Sequence, residues 1–306
     1  MLGFVLRRLL TMIPVLLIVV MLTFVVVRIA PGGPFDRDRK LPAAIEKNLK
    51  AKYNLDAPIP RQFLTYLGWM VRGDLGPSTK YRDRTVNEII AQTFPVSLLI
   101  GGVAFLLASV WGIFLGTFAA MRRHSWLEHA TMMAAMVAIC VPLFVVAPVC
   151  ILIVGFQWRW FPVAGWGTWR HVVLPALLLA LPYAAYVARL TRNSLIETLQ
   201  QDYIRTAIAK GVSRREAVLR HALKISLLPV VSFLGPMGAE VLTGSIVLEQ
   251  IFNIPGMGTF FVNAVFDRDV NVVVGITLVF SVLLLLFNLI VDVAYQFLDP
   301  RIRSFS

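Results

Sequence analysis

The 306-residue chain is poor in charge, cysteine and histidine. Charged residues make up 15% of it, against roughly 25% in a soluble domain. Apolar residues reach 58% and the mean hydropathy is +0.75. A soluble fold cannot hide that much apolar surface, so lipid is the expected solvent. Two cysteines exclude a disulfide scaffold and a cysteine-rich metal site. Cys140 and Cys150 share one apolar run, about 15 Å apart along a helix, and read as buried apolar residues too distant to pair. The four histidines are scattered, and His124 and His129 lie about 140° apart on a helix, which does not make a metal pair. No phosphate-binding loop, H-E-x-x-H, G-x-S-x-G or Cys-x-x-Cys occurs. No enzymatic reading has support, so any ATP chemistry belongs to another chain.

Against these shortages stand six apolar stretches near the 20 residues a bilayer-crossing helix needs. They are Leu9 to Val27, Val96 to Ala120, Ala130 to Phe156 (kinked by Pro142 and Pro148), Val172 to Ala188, Ile225 to Leu248, and Val272 to Val291, the last running on towards Leu298. The fold class is therefore an all-α polytopic membrane protein. The first stretch is longer than a signal-peptide core and no A-x-A-like site comes after it, so it reads as an uncleaved anchor. Residues 1–30 form a tail and first span, 31–94 an extracytoplasmic insert, and 95–306 a five-helix core.

The net charge of +12 would suggest nucleic acid in a soluble protein. Its distribution argues otherwise. With the N-terminus inside, the inner pieces carry 14 Lys and Arg and the short outer loops carry Arg159, Arg170 and Arg268. This bias places both termini in the cytoplasm. The insert carries 11 basic residues against seven acids, but it exceeds the length at which charge directs topology. The excess charge thus argues for membrane orientation and a protein partner, with no nucleic acid.

Within the insert, Leu41 to Tyr53 has helical periodicity. Arg61 to Val71 reads as a short amphipathic helix with Phe63, Leu64, Leu67 and Met70 on one face. Gly73 to Ser78 reads as a turn. The insert has too few apolar residues for its own core and is expected to pack on the membrane part or on a partner. Gly112 and Gly116 form a Gly-x-x-x-Gly pattern that permits close helix approach. Glu240 sits near the middle of the fifth span, where a charge is costly and signals function. It lines a polar cavity, pairs with a partner, or packs protonated between helices. Glu249 and Asp292 lie near span ends, where snorkelling or capping accounts for them.

The segment 189–224 carries most information. Ser194 to Lys210 has the length of a helix, with Ile204, Ala207 and Ile208 near its end. Gly211 stands where a helix takes a left-handed residue. Ser213-Arg214-Arg215-Glu216 is a capping box opening the next helix. A helix, a glycine turn and a capped helix make a compact element suited to docking; the alternative is a solvated basic loop.

These residues carry a resemblance. Tyr203-Ile204-Arg205-Thr206-Ala207-Ile208-Ala209-Lys210-Gly211 is similar to the EAA loop of ABC-importer permeases, in the Arg-Thr-Ala form of the peptide subfamily. Arg220-His221-Ala222-Leu223 and Leu227-Leu228-Pro229 resemble the next stretch of those permeases, although Leu-Pro lies about five residues further from the glycine than in the general pattern. Asp56-Ala57-Pro58, Gln62, Tyr66-Leu67 and Gly73-Asp74-Leu75-Gly76-Pro77-Ser78 resemble the peptide-permease insert. Glu249 to Gly258 and Asp299-Pro300-Arg301-Ile302-Arg303 resemble later signatures, and residues 76–81 are most similar to the B-type permeases of oligopeptide importers.

The resemblance implies a subunit of a bacterial inner-membrane importer. An extracytoplasmic binding protein delivers a peptide, this chain and a second homologous permease form the pathway, and two ABC ATPase subunits bind ATP and Mg; the chain itself needs no cofactor. Arg205, Thr206, Ala207, Lys210, Gly211, Ser213, Arg214, Arg215 and Glu216 would dock on an ATPase. Asp74, Gly76, Ser78, Pro255, Gly256 and Gly258 would face the binding protein; Glu240 is a pathway candidate on its intramembrane position alone. Dipeptide, glutathione or nickel importers of the same family are the alternatives, and a self-sufficient proton-coupled transporter using Glu240 is a more distant one.

Overall fold

The computed structural model describes residues 2–30, 56–81, 83–242 and 246–298. The expected helix over Leu41 to Tyr53 lies outside them. The described residues are helical apart from turns and one isolated bridge between Pro77 and Thr85. In chain order the helices are α1 (Leu2–Ile29), α2 (Ile59–Val71), α3 (Val86–Met121), α4 (Trp126–Cys140), α5 (Leu143–Cys150), α6 (Arg170–Thr198), α7 (Asp202–Ala209), α8 (Arg214–Glu216), α9 (Leu223–Ser226), α10 (Leu228–Leu242), α11 (Ile246–Ile251), α12 (Met257–Asp267) and α13 (Val270–Leu298). Among the described residues, five stretches are long and apolar enough to cross a membrane, and α4 with α5 and its extension to Gln157 makes a sixth if the bent pair is one span.

That pair departs from the sequence expectation of one kinked helix. The two arms meet at 101°. The cause is Pro142, which forces Val141 out of the helical region (φ −85°, ψ 118°) and starts the second arm itself at φ −61°. Pro175 and Pro182 are carried inside α6 without a break, because neighbouring helices can satisfy the freed carbonyls. Two helices exceed their expected bounds by about ten residues at one end. α3 begins at Val86, inside the insert, and its 36 residues span about 54 Å. α6 continues past Ala188 to Thr198, so the supposed Ser194 to Lys210 helix is instead split at residues 199–201.

The described residues divide into two compact units. The first comprises those of Met1–Ser97 and Ile254–Leu285. Here Tyr66 of α2 is buried against Val20 and Phe24 of α1 and Val270 and Val274 of α13. Phe24 and Phe63 pack with ring planes tilted by 58° and centroids 5.5 Å apart, and Arg28 Nε donates to Gln62 at 2.8 Å. The described part of the insert, from residue 56, therefore packs on membrane helices, one of the two outcomes its thin apolar content suggested. Its inward face is Gln62, Phe63, Tyr66, Trp69 and Met70, whereas Leu64 is turned outward. Gln62 and Tyr66 dominate because each reaches a specific partner in α1 or α13, which hydrophobic periodicity does not encode.

The second unit comprises the described residues of Leu98–Asn253 and Leu286–Ser306. α6 is the most buried of its long apolar helices. The Gly112/Gly116 pattern is used within the chain: a β-carbon on Gly112 would lie 2.5 Å from Val187 Cβ, and one on Gly116 would lie 2.4 Å from the Ala188 carbonyl. Near the loop end of α4, Glu128 is buried and accepts from Arg192 of α6 through Nε at 2.9 Å and through Nη2. Cys140, expected to be buried, lies exposed at the end of α4, where the chain breaks away.

Candidate functional site

The segment between the fourth and fifth spans is built on one buried cluster. Ile204 of α7 is fully enclosed with Leu195 of α6, Ala120 of α3, and Ala217, Val218 and Ala222 beyond α8. Burying that isoleucine contributes roughly 1.5–3 kcal/mol. Small residues opposite it let the helices close. Ala207 is half-buried, and Ile208 is 44% exposed.

The turn after α7 is a complete Schellman motif. Gly211 N–H donates to the Ile208 carbonyl at 2.9 Å, and Val212 N–H to the Ala207 carbonyl at 3.2 Å. Gly211 sits at φ +93°, which a side chain would strain. Val212 packs back against the Ile204 cluster. Two residues later the Ser213 hydroxyl accepts from Glu216 N–H at 3.3 Å, a cap contributing about 1 kcal/mol. The reciprocal half of the box is replaced, since the Glu216 carboxylate accepts from Arg220 Nη1 at 2.7 Å. That pair is exposed and holds direction more than stability. The chain then widens into a π-helical turn over Ala217–Ala222 that keeps Ala217, Val218 and Ala222 inward.

The outcome is a rigid knob with a buried base. Arg205, Thr206, Lys210, Gly211, Ser213, Arg214 and Arg215 are exposed, Ala207 and Glu216 are half-buried, and Tyr203, Ile208 and Leu219 stand exposed among the cations. All nine residues singled out from sequence are thus brought to one short element. Exposed apolar side chains ringed by charge, on a locked backbone, suit a protein contact.

The residues assigned to a binding protein fare differently. Asp74 and Pro255 are exposed, while Gly76, Ser78, Gly256 and Gly258 are buried. Gly76 takes φ +82°, and a β-carbon there would lie 2.8 Å from the Trp69 ring. Asp74 Oδ1 accepts from Gly76 N–H at 2.9 Å. Asn87 clamps the same turn, accepting from Leu75 N–H and donating to the Gly73 carbonyl, each at 2.7 Å. Ser78 Oγ donates to Asp269 Oδ2, which also accepts from Thr79 N–H at 3.0 Å and Lys80 N–H at 3.2 Å. Asn271 donates to the Pro77 carbonyl at 2.8 Å, and Lys80 Nζ lies 3.8 Å from Asp267. Residues 76–81 are therefore clasped to the start of α13. Burial pushes the Asp269 carboxyl above the usual range, against the pull of these donors. Sequence reasoning missed Asp269, although an aspartate just before an apolar helical run is an N-cap signal; it indeed accepts from Val272 N–H at 3.4 Å.

Glu240 is exposed on the surface of the chain, in the stretch Leu228–Ile251. Tyr183 of α6 faces it as a hydrogen-bonding partner. Tyr186 and Phe233 pair at 5.9 Å between the same two helices. Glu249, expected to snorkel, is only 2% exposed. Among the described residues no group of three or more His, Cys, Asp or Glu could hold a metal ion.

Comparison with known proteins gives the family. The family model described as binding-protein-dependent transport system inner membrane component matches residues 112–304, a range that includes the knob, Glu240 and residues 255–258. The oligopeptide transport system permease protein OppB of Haemophilus influenzae is 43% identical over 305 residues, covering 99% of this chain and 100% of the relative. OppB of Escherichia coli K12 is 44% identical over the same shares. The dipeptide transport system permease protein DppB of Bacillus subtilis is 42% identical over 300 residues, covering 98% and 97%. The chain belongs to the binding-protein-dependent transport system inner membrane component family, the permease domain of ABC importers.

Proposed function

We propose that this protein is one of two homologous permease subunits of a peptide importer in the bacterial inner membrane. Both termini lie in the cytoplasm, an extracytoplasmic binding protein delivers the peptide, and two ABC ATPase subunits hold ATP and Mg and carry out hydrolysis. The observation that carries the reading is the knob over residues 202–222. Its buried Ile204 base and its Schellman and serine caps make it stiff, and its exposed face mixes cations with Tyr203, Ile208 and Leu219. A stiff element transmits displacement where a loose loop would absorb it. Arg205, Thr206, Lys210, Gly211, Ser213, Arg214 and Arg215 form the contact with an ATPase, and Ala207 and Glu216 hold its shape.

The peptide substrate rests on relatives named for oligopeptide and dipeptide transport. Of the six residues that motif resemblance assigns to a binding protein, Asp74 and Pro255 are exposed in their turns and can touch one. Glu240 faces the pathway or the second permease: a carboxylate at the surface of a spanning helix is too costly against lipid, so water, substrate or a partner helix covers it. Co-purification from mild detergent tests the assembly. The expected set is a second permease, two ATPases and a binding protein, and reconstituted vesicles should take up peptide only with ATP. Uptake by this chain alone under a proton gradient, lost in Glu240→Ala, would instead support a self-sufficient transporter.

A further inference from the structure

Apart from the knob, the second unit carries a basic groove at the loop end of α4 and α6. Two adjoining cavities of about 320 and 330 Å³ share Met132 and Arg192. Arg123, His124 and His129 line the first, and Arg189, Asn193 and Met136 the second. The acid at this site is Glu128, and both its oxygens are engaged. Oε1 accepts from Arg192 and Oε2 from His124 N–H at 2.6 Å. Asn193 Oδ1 accepts from Arg192 Nη1 at 2.8 Å, which fixes that guanidinium further. Arg123 and Arg189 are exposed, so positive charge is left over around the groove. His124 holds its place in the lining at φ +67°, a left-handed conformation uncommon for a residue with a side chain.

The surface beside these cations is apolar. Met133 is 67% exposed, and Met136 and Val137 are each 59% exposed, on successive turns of α4. Trp126 projects at the start of the same helix, where a span meets the interface and tryptophan anchors. A small soluble anion would use the arginines and leave the methionines idle. A phospholipid uses both, with phosphate among the cations and an acyl chain along the methionines.

We propose that this groove between α4 and α6 binds the phosphate headgroup of an anionic phospholipid, with its acyl chain lying on Met132, Met133 and Met136. Basic pockets between spanning helices at one membrane face are suited to such headgroups. The site is separate from the ATPase-facing knob and does not depend on the peptide assignment.

The test is native mass spectrometry of the intact complex in mild detergent. Phosphatidylglycerol, phosphatidylcholine and inorganic phosphate are added in separate arms. Phosphatidylglycerol should bind about tenfold more tightly than phosphatidylcholine, and millimolar phosphate should not displace it. Arg123→Gln with Arg189→Gln should lower phosphatidylglycerol affinity roughly tenfold to thirtyfold, the loss of two headgroup charges. Arg123→Lys with Arg189→Lys should retain most of it, and Arg7→Gln with Arg8→Gln should change nothing. Equal binding of the two lipids, an unchanged affinity in the glutamine variant, an equal loss from the Arg7 and Arg8 changes, or displacement by inorganic phosphate would each overturn the proposal.

Discussion

Adding one methyl group to glycines along α3 should produce sharply different outcomes. At Gly101 a β-carbon would lie 2.3 Å from the Val241 carbonyl oxygen and 2.7 Å from Leu242 Cα. At Gly116 it would lie 2.4 Å from the Ala188 carbonyl oxygen and 2.7 Å from Thr191 Cβ. Both neighbours are backbone or branched groups that cannot swing away. At Gly102, the very next position to Gly101, the nearest atom is Leu242 Cδ2 at 3.9 Å, ordinary contact. Carbon contacts are most favourable near 3.5–4.0 Å, so the first two changes force helices apart by about 1 Å. Overpacking of this kind costs about 1–3 kcal/mol per site. The helix-propensity gain of Gly→Ala, up to about 1 kcal/mol, is common to all three and cancels in the comparison. Thermal unfolding of the purified complex in mild detergent should show Gly101→Ala and Gly116→Ala lowered and Gly102→Ala level with or above the parent. Combined changes at Gly112 and Gly116 share one interface and should not add. If all three alanine variants unfold together, the helices have slack and the close-approach argument fails.

The packing yields three further expected outcomes. Ile204→Ala should cost about 2–5 kcal/mol through its cavity, whereas Ile208→Ala, at an exposed position, should leave stability within about 0.5 kcal/mol and weaken ATPase affinity; unfolding and binding titrations separate the two, and the reverse pattern would invert the assigned inside and outside of α7. Asp269 has its carboxyl raised by burial. Its contribution is therefore fully present below the unfolded aspartate value of about 3.9 and is lost as pH rises through the higher folded value. The stability difference between parent and Asp269→Asn should fall in that direction across the window, and a flat or opposite difference would contradict the burial argument. Arg192→Gln leaves the buried Glu128 without its guanidinium and should cost up to about 3 kcal/mol, less than for a fully buried pair because Arg192 is 31% exposed. Glu128→Leu on top of it should recover most of the loss in the same unfolding assay.

Much of the fold was readable in the residues. Length and hydropathy sufficed for five of the six expected spans because a bilayer imposes one requirement on every crossing helix. Gly211 and Ser213 were readable because caps use few residue types for reasons of local geometry. The 101° break at Pro142 was not, since a proline within an apolar run is compatible with a mild kink or a full turn, and neighbours decide which. The continuation of α6 to Thr198 was hidden because its final turns are polar, and their stability comes from Leu195 in the Ile204 cluster. Motif resemblance grouped Gly76, Ser78, Gly256 and Gly258 with surface function, whereas Gly76 and Ser78 are buried in the turn that exposes Asp74, and Gly256 and Gly258 are buried at the start of α12. Asp269 and its distant partner Ser78 are 191 residues apart, a pairing no local pattern reports.

The central claim is that the 202–222 knob couples this chain to an ATPase. Gly211→Pro tests it most directly, because proline is fixed near φ −65° where the turn requires +93°, and it deletes the N–H donated to Ile208. Ala207→Asp adds a charge at the half-buried centre of the same element. Complexes carrying either change should insert into the membrane normally but fail to retain the ATPase subunits and lose binding-protein-stimulated ATP turnover. Normal subunit stoichiometry and undiminished stimulated turnover in both variants would contradict the assignment.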